Sequence, residues 1–499
     1  MFSVNFFYIR IILIFCLITL SCKKNHNNEN KKIEDLIPKV KKNQEFVNQV
    51  SIKNDSQEFV IKVINPTFLG NNQRNFYGKG IPKKWNLQWK TWLGSGKTIV
   101  KKGQEQLWSG AGWTGQPLFY LENEHPYLLQ GAYDYHLKKI DALNGKIVWE
   151  YPFEDVIKGT GTIWLNSQTE IPELKAVVIQ GSRQSKNYHQ KNAPALKAIS
   201  LINGKCVWEL NVEKTKSYSR DVDASALIVN DTAYIGLENG YFLSFLPDAR
   251  QAKHKNELLQ PKILKKVKLY KNEDAVLHAG NLVIEASPAY FDRKVFISAG
   301  SGHVVTYDLD QKKIVWDYFI GSDLDGSPVV TPDSCILVSI EKQYIKGNGG
   351  VLKLNPKNKN VEWFFPTQNK NFADWKGGLI GSPSISDSLC AFIAIDGNTY
   401  VVHLNKVQSK TVKLFDSKTE VFCPMLIFKY PTGPSISTPL WVDNHLICAG
   451  YHGIHIFYRE NQNFKLIKKI PGRFEATPFV YNKRLYIASR DGYLYCYGE

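Results

Sequence analysis

Four acidic residues stand in the same short motif along the chain, and they are the leading candidates for chemistry. The motifs are Asp223-Ala-Ser, Glu285-Ala-Ser-Pro, Asp325-Gly-Ser-Pro and Glu475-Ala-Thr-Pro. In each motif the carboxylate stands two residues before a Ser or Thr and just ahead of an apolar run. Carboxylate oxygens are ligands that calcium prefers. If the fold brings the motifs together, they predict a site for one hard cation such as calcium.

Aromatic and basic residues stand near the same motifs and enlarge the candidate site. The full set predicted to line a channel mouth is Trp113, Gln116, Arg220, Asp223, Glu285, Asp325, Trp375, Lys376, Arg473 and Glu475. Converging charged and aromatic groups are what a polar ligand requires. The alternative is a solvated lining in which Arg220, Lys376 and Arg473 neutralise the carboxylates. The residues alone leave both interpretations open.

Other motifs do not indicate a catalytic site. His452-Gly-Ile-His455 has a helical zinc-like spacing, but it lies in strand-like sequence, where the two rings face opposite sides. No Gly-x-Ser-x-Gly motif is present. Six cysteines follow Cys22, and they form neither a Cys-x-x-Cys motif nor an adjacent pair. They are either disulfide-bonded, as export permits, or buried free thiols.

A repeated hairpin indicates how these residues are positioned. Four segments each contain an alternating strand, a polar turn and a second strand that ends in Trp149, Trp208, Trp316 or Trp363. In the first two segments the turn is Asn-Gly, which tolerates the positive φ of a tight hairpin. A small-residue motif and a further strand precede each hairpin. One repeat of about 50 residues is therefore predicted to contain four strands.

The two ends of the repeat array complement each other. The last repeat, residues 474–499, ends without a Trp strand, whereas residues 84–92 supply a Trp strand with no hairpin before it. We therefore predict an all-β fold, an eight-bladed β-propeller of four-stranded antiparallel blades over residues 76–499. In this fold the N-terminal strand completes the C-terminal blade. The alternative is seven blades and a free N-terminal flap.

The hairpin of residues 137–149 and the Ser-Pro motifs resemble the pyrroloquinoline-quinone (PQQ) repeat. This repeat builds eight-bladed quinoprotein alcohol dehydrogenases and also cofactor-free propeller lipoproteins of the outer-membrane β-barrel assembly machinery. The resemblance implies the fold more than an activity, because the shared residues pack blades together. The dehydrogenases carry an adjacent Cys-Cys pair, which this chain lacks. The resemblance therefore favours a protein without a cofactor, with PQQ and calcium as the alternative.

The N-terminus is predicted to direct export. Residues 6–20 are mostly apolar, but their uninterrupted apolar run, residues 11–18, is too short to span a bilayer. They lead into Leu20-Ser-Cys22-Lys-Lys. This ending resembles a bacterial lipoprotein signal, which implies a signal peptide of residues 1–22 and lipidation at Cys22. Residues 23–75 are rich in Lys, Asn and Glu and predict a flexible polar tether. Within it, residues 58–64 are the one strand-like piece.

Charge and composition complete the functional prediction. The 63 Lys+Arg and 46 Asp+Glu give a formal charge of +17, with lysines scattered over the tether and turns. This scatter forms no aromatic-lined basic groove for nucleic acid. We predict a monomeric, lipid-anchored propeller of the bacterial cell envelope, on the outer membrane and facing the periplasm or the cell surface. It is expected to be a non-enzymatic binding or scaffold module for a protein partner. The alternatives are a receptor for a small polar ligand at the channel mouth and a quinone- and calcium-dependent dehydrogenase.

Overall fold

The computed structural model describes residues 48–54, 57–100, 103–415 and 418–499, and in this part the chain is almost entirely β-structure. Eight four-stranded antiparallel blades form a β-propeller. The helical elements in these residues are α1 (Pro172–Lys175), α2 (Asn272–Leu277) and a 3-10 turn at Ala249–Gln251. Among the described residues, no helix has both the length and the apolar character needed to cross a membrane.

Six strands precede the first complete blade. They are β1 (Asn48–Asn54), β2 (Gln57–Asn65), β3 (Gly78–Lys79), β4 (Asn86–Trp92), β5 (Ser95–Ile99) and β6 (Glu105–Ser109). Strands β1 and β2 form a hairpin, and β5 and β6 form another.

Blades 1 to 4 follow in chain order, each running from the channel outward. Blade 1 contains β7 (Leu118–Glu122), β8 (His125–Gly131), β9 (His136–Asp141) and β10 (Ile147–Pro152). Blade 2 contains β11 (Thr162–Leu165), β12 (Ala176–Gly181), β13 (Leu196–Ser200) and β14 (Cys206–Leu210). Blade 3 contains β15 (Leu227–Val229), β16 (Thr232–Gly236), β17 (Tyr241–Leu246) and β20 (Lys262–Lys268), with β18 (Lys253–Lys255) and β19 (Leu258–Gln260) as an inserted hairpin. Blade 4 contains β21 (Ala289–Phe291), β22 (Lys294–Ser298), β23 (His303–Asp308) and β24 (Lys313–Phe319).

Blades 5 to 8 complete the ring. Blade 5 contains β25 (Val329–Val330), β26 (Ile336–Ile340), β27 (Gly350–Asn355) and β28 (Asn360–Pro366). Blade 6 contains β29 (Ser384–Ser386), β30 (Leu389–Ile393), β31 (Thr399–Lys413) and β32 (Glu420–Tyr430). Blade 7 contains β33 (Leu440–Val442), β34 (His445–Gly450), β35 (Gly453–Glu460) and β36 (Asn463–Ile470). Blade 8 contains β37 (Phe479–Tyr481), β38 (Arg484–Ala488), β39 (Tyr493–Gly498) and, as its outer strand, β4.

The ring closes as the sequence predicts. Strand β4 pairs with β39, with Trp89 opposite Cys496 and Trp92 opposite Tyr493. A strand from near the start of the folded chain thus completes the last blade. The predictions of eight blades and of this closure are confirmed.

The repeated Trp of the outer strands joins neighbouring blades. The indole nitrogen of Trp208 donates to the Pro247 carbonyl of blade 3, and that of Trp363 donates to the Leu404 carbonyl of blade 6. Both side chains are fully buried. A buried indole usually has a partner for its N–H, and the next blade supplies one to Trp208 and to Trp363. The indole nitrogen of Trp149 is buried without a partner among the described residues, but its ring packs against Gly204 of blade 2. Contact with the next blade is therefore what the repeated Trp has in common.

The structure differs from the predicted tether over the described residues 48–54 and 57–75, and the strand-like piece 58–64 lies in β2, which pairs with β7. Residues 65–81, which we name the channel segment, lie along the inner strands of all eight blades. Hydrogen bonds join the segment to Pro117, Thr162, Ala226, Pro288, Val330, Ile385 and Asp443, and β3 pairs in parallel with β37. The inner strands have peptide groups on their channel side, and the polar side chains of this segment satisfy several of them. The polar composition of this segment predicts disorder, but the inner strands of the blades provide a surface that orders it.

Gly78 offers a direct test of the channel segment. Its φ is +111°, and a Cβ built on it would lie 1.9 Å from the Val480 carbonyl oxygen. We expect Gly78→Ala to lower the free energy of unfolding by about 2–3 kcal/mol, because neither strand can move away without breaking the β3–β37 pairing. The measurement is equilibrium denaturation. Gly103→Ala is the matched control: its φ is also positive, at +73°, but a Cβ there would meet nothing within 4 Å. Equal losses in the two variants would contradict a tightly packed segment.

Candidate functional site

The candidate site lies at the end of the channel where the inner strands begin, which we call the mouth. Consecutive strands run antiparallel, so the second strand of each blade ends at the mouth as well. Residues before each inner strand and after each second strand therefore share this end of the propeller. Seven carboxylates from these two kinds of position lie in or beside two clusters. They are Asp221, Asp223, Glu238, Glu285, Asp323, Asp325 and Glu341.

The first group, the acidic cluster, consists of Asp323, Asp325 and Glu341. Each offers a carboxylate oxygen, and the three oxygens lie within 4.8 Å of one another. All three side chains are buried. Asn281 Nδ2 donates to one oxygen of Asp323 at 2.5 Å, while Oδ1 of Asp323 has no hydrogen-bond partner among the described residues.

Burial sets the protonation state of the acidic cluster. Loss of solvent, followed by repulsion from Glu341 and Glu285, raises the pKa of Asp323 to about 8. Burial and then the charge of Asp323 raise the pKa of Asp325 well above its ordinary value. Close carboxylates in a dry site cannot all ionise without a compensating cation. The cluster is therefore a place that either holds protons or accepts a cation.

The second group, the lysine cluster, consists of Lys158, Asp223, Glu238 and Glu285. Its three carboxylates also lie within 4.8 Å of one another. Lys158 Nζ is ion-paired with Asp223 and lies 3.6 Å from Glu285. Burial lowers the pKa of Lys158, but Asp223 and Glu285 more than offset this and raise it well above the ordinary value. This cluster therefore carries its own cation.

The structure divides the predicted four-carboxylate site. Asp223 and Glu285 lie in the lysine cluster, and Asp325 lies in the acidic cluster. Glu475 instead accepts a hydrogen bond from Tyr451 Oη at 2.7 Å and pairs with Arg490 at 3.4 Å. The physical reason is the ring: equivalent motifs stand around its circumference, and each carboxylate meets its nearest neighbours. The four residues do not form one ion site.

Two other predicted site residues hold the framework together. The Gln116 amide accepts from the Leu69 nitrogen and donates to the Pro478 carbonyl, so it joins blades 1 and 8 to the channel segment. The buried Arg220 guanidinium donates to loop carbonyls, including those of Val212 and Gln190. Arg220 therefore does not neutralise the mouth carboxylates. Arg183, which pairs with Asp221 at 3.0 Å, takes that role instead.

The remaining predicted residues line the aromatic half of the mouth. Trp375 stacks with Phe372 at 6.3 Å between ring centroids, and Arg473 lies over the Tyr451 ring at 5.5 Å. Lys376 is exposed. The mouth is thus asymmetric: the two carboxylate clusters lie on blades 3–5, whereas blades 6–8 contribute aromatic and basic groups together with Glu475.

Trp113 tests whether the mouth fits a quinone cofactor. A planar cofactor needs an indole with a free face. Trp113 is 7% exposed, packs with Ile380, Ile395 and Ile436, and has Lys158 over its ring at 6.0 Å. The described cysteines are all free, so no disulfide lies beside it. Trp113 therefore does not fit the stacking role that a quinone requires.

Sequence reasoning missed Lys158, Glu238 and Glu341 of the two clusters, and also Asn281, which donates to Asp323. Lys158 precedes an inner strand that lacks the acidic motif, and Asn281 stands four residues before Glu285. Glu238 and Glu341 follow the second strands β16 and β26. The antiparallel order of a blade places these turns at the mouth. The residues that follow the second strands therefore carry the same positional signal as those that precede the inner strands.

Exposed apolar residues lie beside the acidic cluster. Tyr218, Val276, Leu277 and Phe319, which we name the rim patch, are between 50% and 82% exposed. Helix α2 connects them. The Tyr218 backbone nitrogen donates a hydrogen bond to the Gly280 carbonyl just after the helix. His303 contacts both Asp274 of the helix and the Phe319 ring. Tyr218 Oη also donates to Asn281 at 3.2 Å. The patch and the acidic cluster are therefore continuous.

Comparison with known proteins supports the architecture. No protein-family model matches the chain, and no curated protein matches it. Among solved structures, BamB from Moraxella catarrhalis has a TM-score of 0.52 at 13% identity, covering 83% of this chain and 100% of that one. A europium-containing methanol dehydrogenase has a TM-score of 0.55 at 11% identity, covering 85% and 89% respectively.

These similarities define the class by fold. The chain has the fold of a PQQ-like β-propeller, as the repeat predicts. One of the two similar structures is named as an enzyme, a methanol dehydrogenase, whereas the name of the other, BamB, states no activity. At such low identity the likeness concerns architecture, so the fold does not decide between an enzyme and a binding protein.

The protonated Asp323 predicts an unusual pH dependence. Its pKa is about 8 in the folded chain and 3.8 ordinarily, so between these values the native state holds a proton that the unfolded chain releases. Stability attributable to this group therefore falls as pH rises from about 4 to 8. We expect Asp323→Asn to reduce the fall in melting temperature between pH 5 and pH 8.

The control for this experiment is Asp310→Asn. Asp310 is exposed and paired with Arg293, which lowers the pKa of Asp310. This variant should retain the fall seen in the native protein between pH 5 and pH 8. If Asp323→Asn and Asp310→Asn behave alike, the buried carboxylate is not the source of the dependence.

Proposed function

We propose that the chain is a lipid-anchored propeller of the bacterial cell envelope that acts as a binding or scaffold module. The anchoring residue, Cys22, lies outside the described residues, so the support for anchoring is the lipoprotein-like signal. The fold is shared with BamB. The covered Trp113 indole favours a protein without a quinone.

The observation that carries this proposal is the rim patch beside the acidic cluster. Large apolar side chains that cluster on a surface mark sites of protein interaction. Val276 is 82% exposed and Leu277 is 63% exposed, and both belong to a six-residue helix at the rim. Behind them, Asp323 has an unpartnered carboxylate oxygen. The partner that fits is an envelope protein that offers an apolar segment with a Lys or Arg.

Site-specific cross-linking tests this surface in the native envelope. A photo-reactive amino acid at position 276 or 277 should give one cross-linked product with a partner, because these side chains project from the rim. The same amino acid at Leu143, a 46%-exposed turn residue of blade 1, is the control and should give none.

Charge provides a second criterion for the docking surface. Asp325→Asn should weaken the product formed from position 276, because a basic side chain of the partner would lose its counter-charge. Products of equal yield from positions 276 and 143, or none from 276, would contradict docking at the rim.

A second candidate function, binding of a hard divalent cation, follows from the difference between the two clusters. Both bring three carboxylates within 4.8 Å. The lysine cluster contains Lys158, whereas Asp323 and Asp325 have no ion pair with a basic side chain in the described part of the chain. Carboxylate and amide oxygens suit calcium. The acidic cluster would accept from solution the cation that the lysine cluster has from its own chain.

Terbium luminescence tests the cation site directly. Terbium is a calcium-like probe, and the phenols of Tyr218 and Tyr344, which both hydrogen-bond Asn281 beside the cluster, should sensitise it. We expect saturable luminescence that calcium displaces, with Asp325→Asn and Glu341→Gln each weakening binding about tenfold or more. Asp310→Asn, an exposed carboxylate of blade 4, is the control and should bind as the native chain does. Unchanged affinity in both cluster variants would contradict the site.

A further inference from the structure

The outer edge of blade 3 carries a concentrated positive charge that neither proposed function uses. We name this surface the basic edge, and it is formed by β20 and the inserted hairpin β18–β19. Its exposed lysines are Lys253, Lys255, Lys262, Lys265 and Lys268. The sequence places these lysines in one long stretch, which by itself indicates only a solvated loop. The fold instead arranges part of the stretch as β20, the outermost strand of blade 3.

Most of this charge is not neutralised within the protein. Among the described residues, no acidic side chain forms an ion pair with Lys253, Lys255, Lys262 or Lys265. Lys266, by contrast, pairs with Glu213 at 2.5 Å. Buried lysines of the blades are paired, as Lys197 is with Glu154 and Glu209. The basic edge therefore presents free positive charges to an outside partner.

Two apolar side chains lie between these lysines and face solvent. Ile263 is 40% exposed and Leu264 is 48% exposed. Phe245 pairs with Ile263 and Ser244 pairs with Lys265, so Leu264 is the extra residue of a β-bulge. A bulge in an edge strand redirects its side chain away from the sheet. Lysines around exposed aliphatic groups thus form one continuous surface.

We propose that the basic edge rests on the anionic headgroups of a lipid bilayer. Lysines near such a surface are attracted to it, and aliphatic side chains enter the boundary between headgroups and acyl chains. The opposite charges of the surface and the headgroups single out this partner. A nucleic acid would favour aromatic side chains for base stacking, and the strand Lys262–Lys268 contains none. This contact goes beyond the lipid anchor, because it orients the ring on the membrane.

Vesicle sedimentation of the full chain carrying Cys22→Ser tests the contact without lipidation. The probe is vesicles of phosphatidylcholine with or without phosphatidylglycerol. We expect binding to the anionic vesicles that weakens as salt rises. Lys262→Glu with Lys265→Glu should reduce this binding at least about tenfold, because two attractive charges become repulsive. Ile263→Ser with Leu264→Ser should reduce the binding that persists at high salt.

The matched control replaces two exposed lysines elsewhere, Lys313→Glu with Lys357→Glu. This variant has the same net charge as the first, so equal losses would show a non-specific charge effect and overturn the proposal. Circular dichroism and melting temperature establish that each variant folds. Should the β20 variant unfold, Lys253→Glu with Lys255→Glu on the inserted hairpin makes the same test. Equal binding to neutral and anionic vesicles would also overturn the proposal, as would lysine-dependent binding to a DNA oligonucleotide but not to vesicles.

Discussion

The hydrogen bonding of the inner strands is the constraint on which this propeller depends. These strands are as short as Val329–Val330, and their channel side has peptide groups that no blade satisfies. An unpaired buried peptide group costs more than a hydrogen bond contributes. The channel segment supplies several of the partners, and β2 pairs with the inner strand of blade 1. At its centre the buried Arg74 guanidinium donates to the Pro288 carbonyl of blade 4 and to Phe68 of its own segment. Burial lowers the pKa of Arg74 to about 9.

The filled channel concentrates the chemistry of the molecule at the mouth. Blades 3–5 place their carboxylates there, and the ring sets them side by side in a dry environment. The two clusters show two solutions to one electrostatic problem. Lys158 supplies a fixed cation to Asp223 and Glu285. Burial instead raises the pKa of Asp323 to about 8, so this carboxyl keeps its proton at lower pH. Both clusters hold protons, since burial and the neighbouring Asp223 also raise the pKa of Glu238 well above its ordinary value, but the lysine cluster already contains the cation Lys158.

The sequence predicts the features that depend on local periodicity. Alternating strands, Asn-Gly turns and the spacing of Trp149 and Trp208 are sufficient for the blades, and the unmatched Trp strand at Trp89 is sufficient for the closure. Contacts between distant residues are less predictable. The order of residues 57–75 arises only against the completed inner strands. Likewise, Glu341 joins Asp325 because strand β26 returns to the mouth, a relation that a search for repeated motifs does not examine.

The geometry of a ring separates the two surfaces proposed to bind partners. The basic edge lies on β20, the outermost strand of blade 3, while the rim patch lies at the mouth, where that blade contributes Tyr218. In a propeller the outer edge faces away from the channel axis, whereas the mouth faces along it. A bilayer against the basic edge would therefore leave the rim patch open at the side. Contact through this one blade is therefore compatible with access of a partner to the carboxylates behind Tyr218.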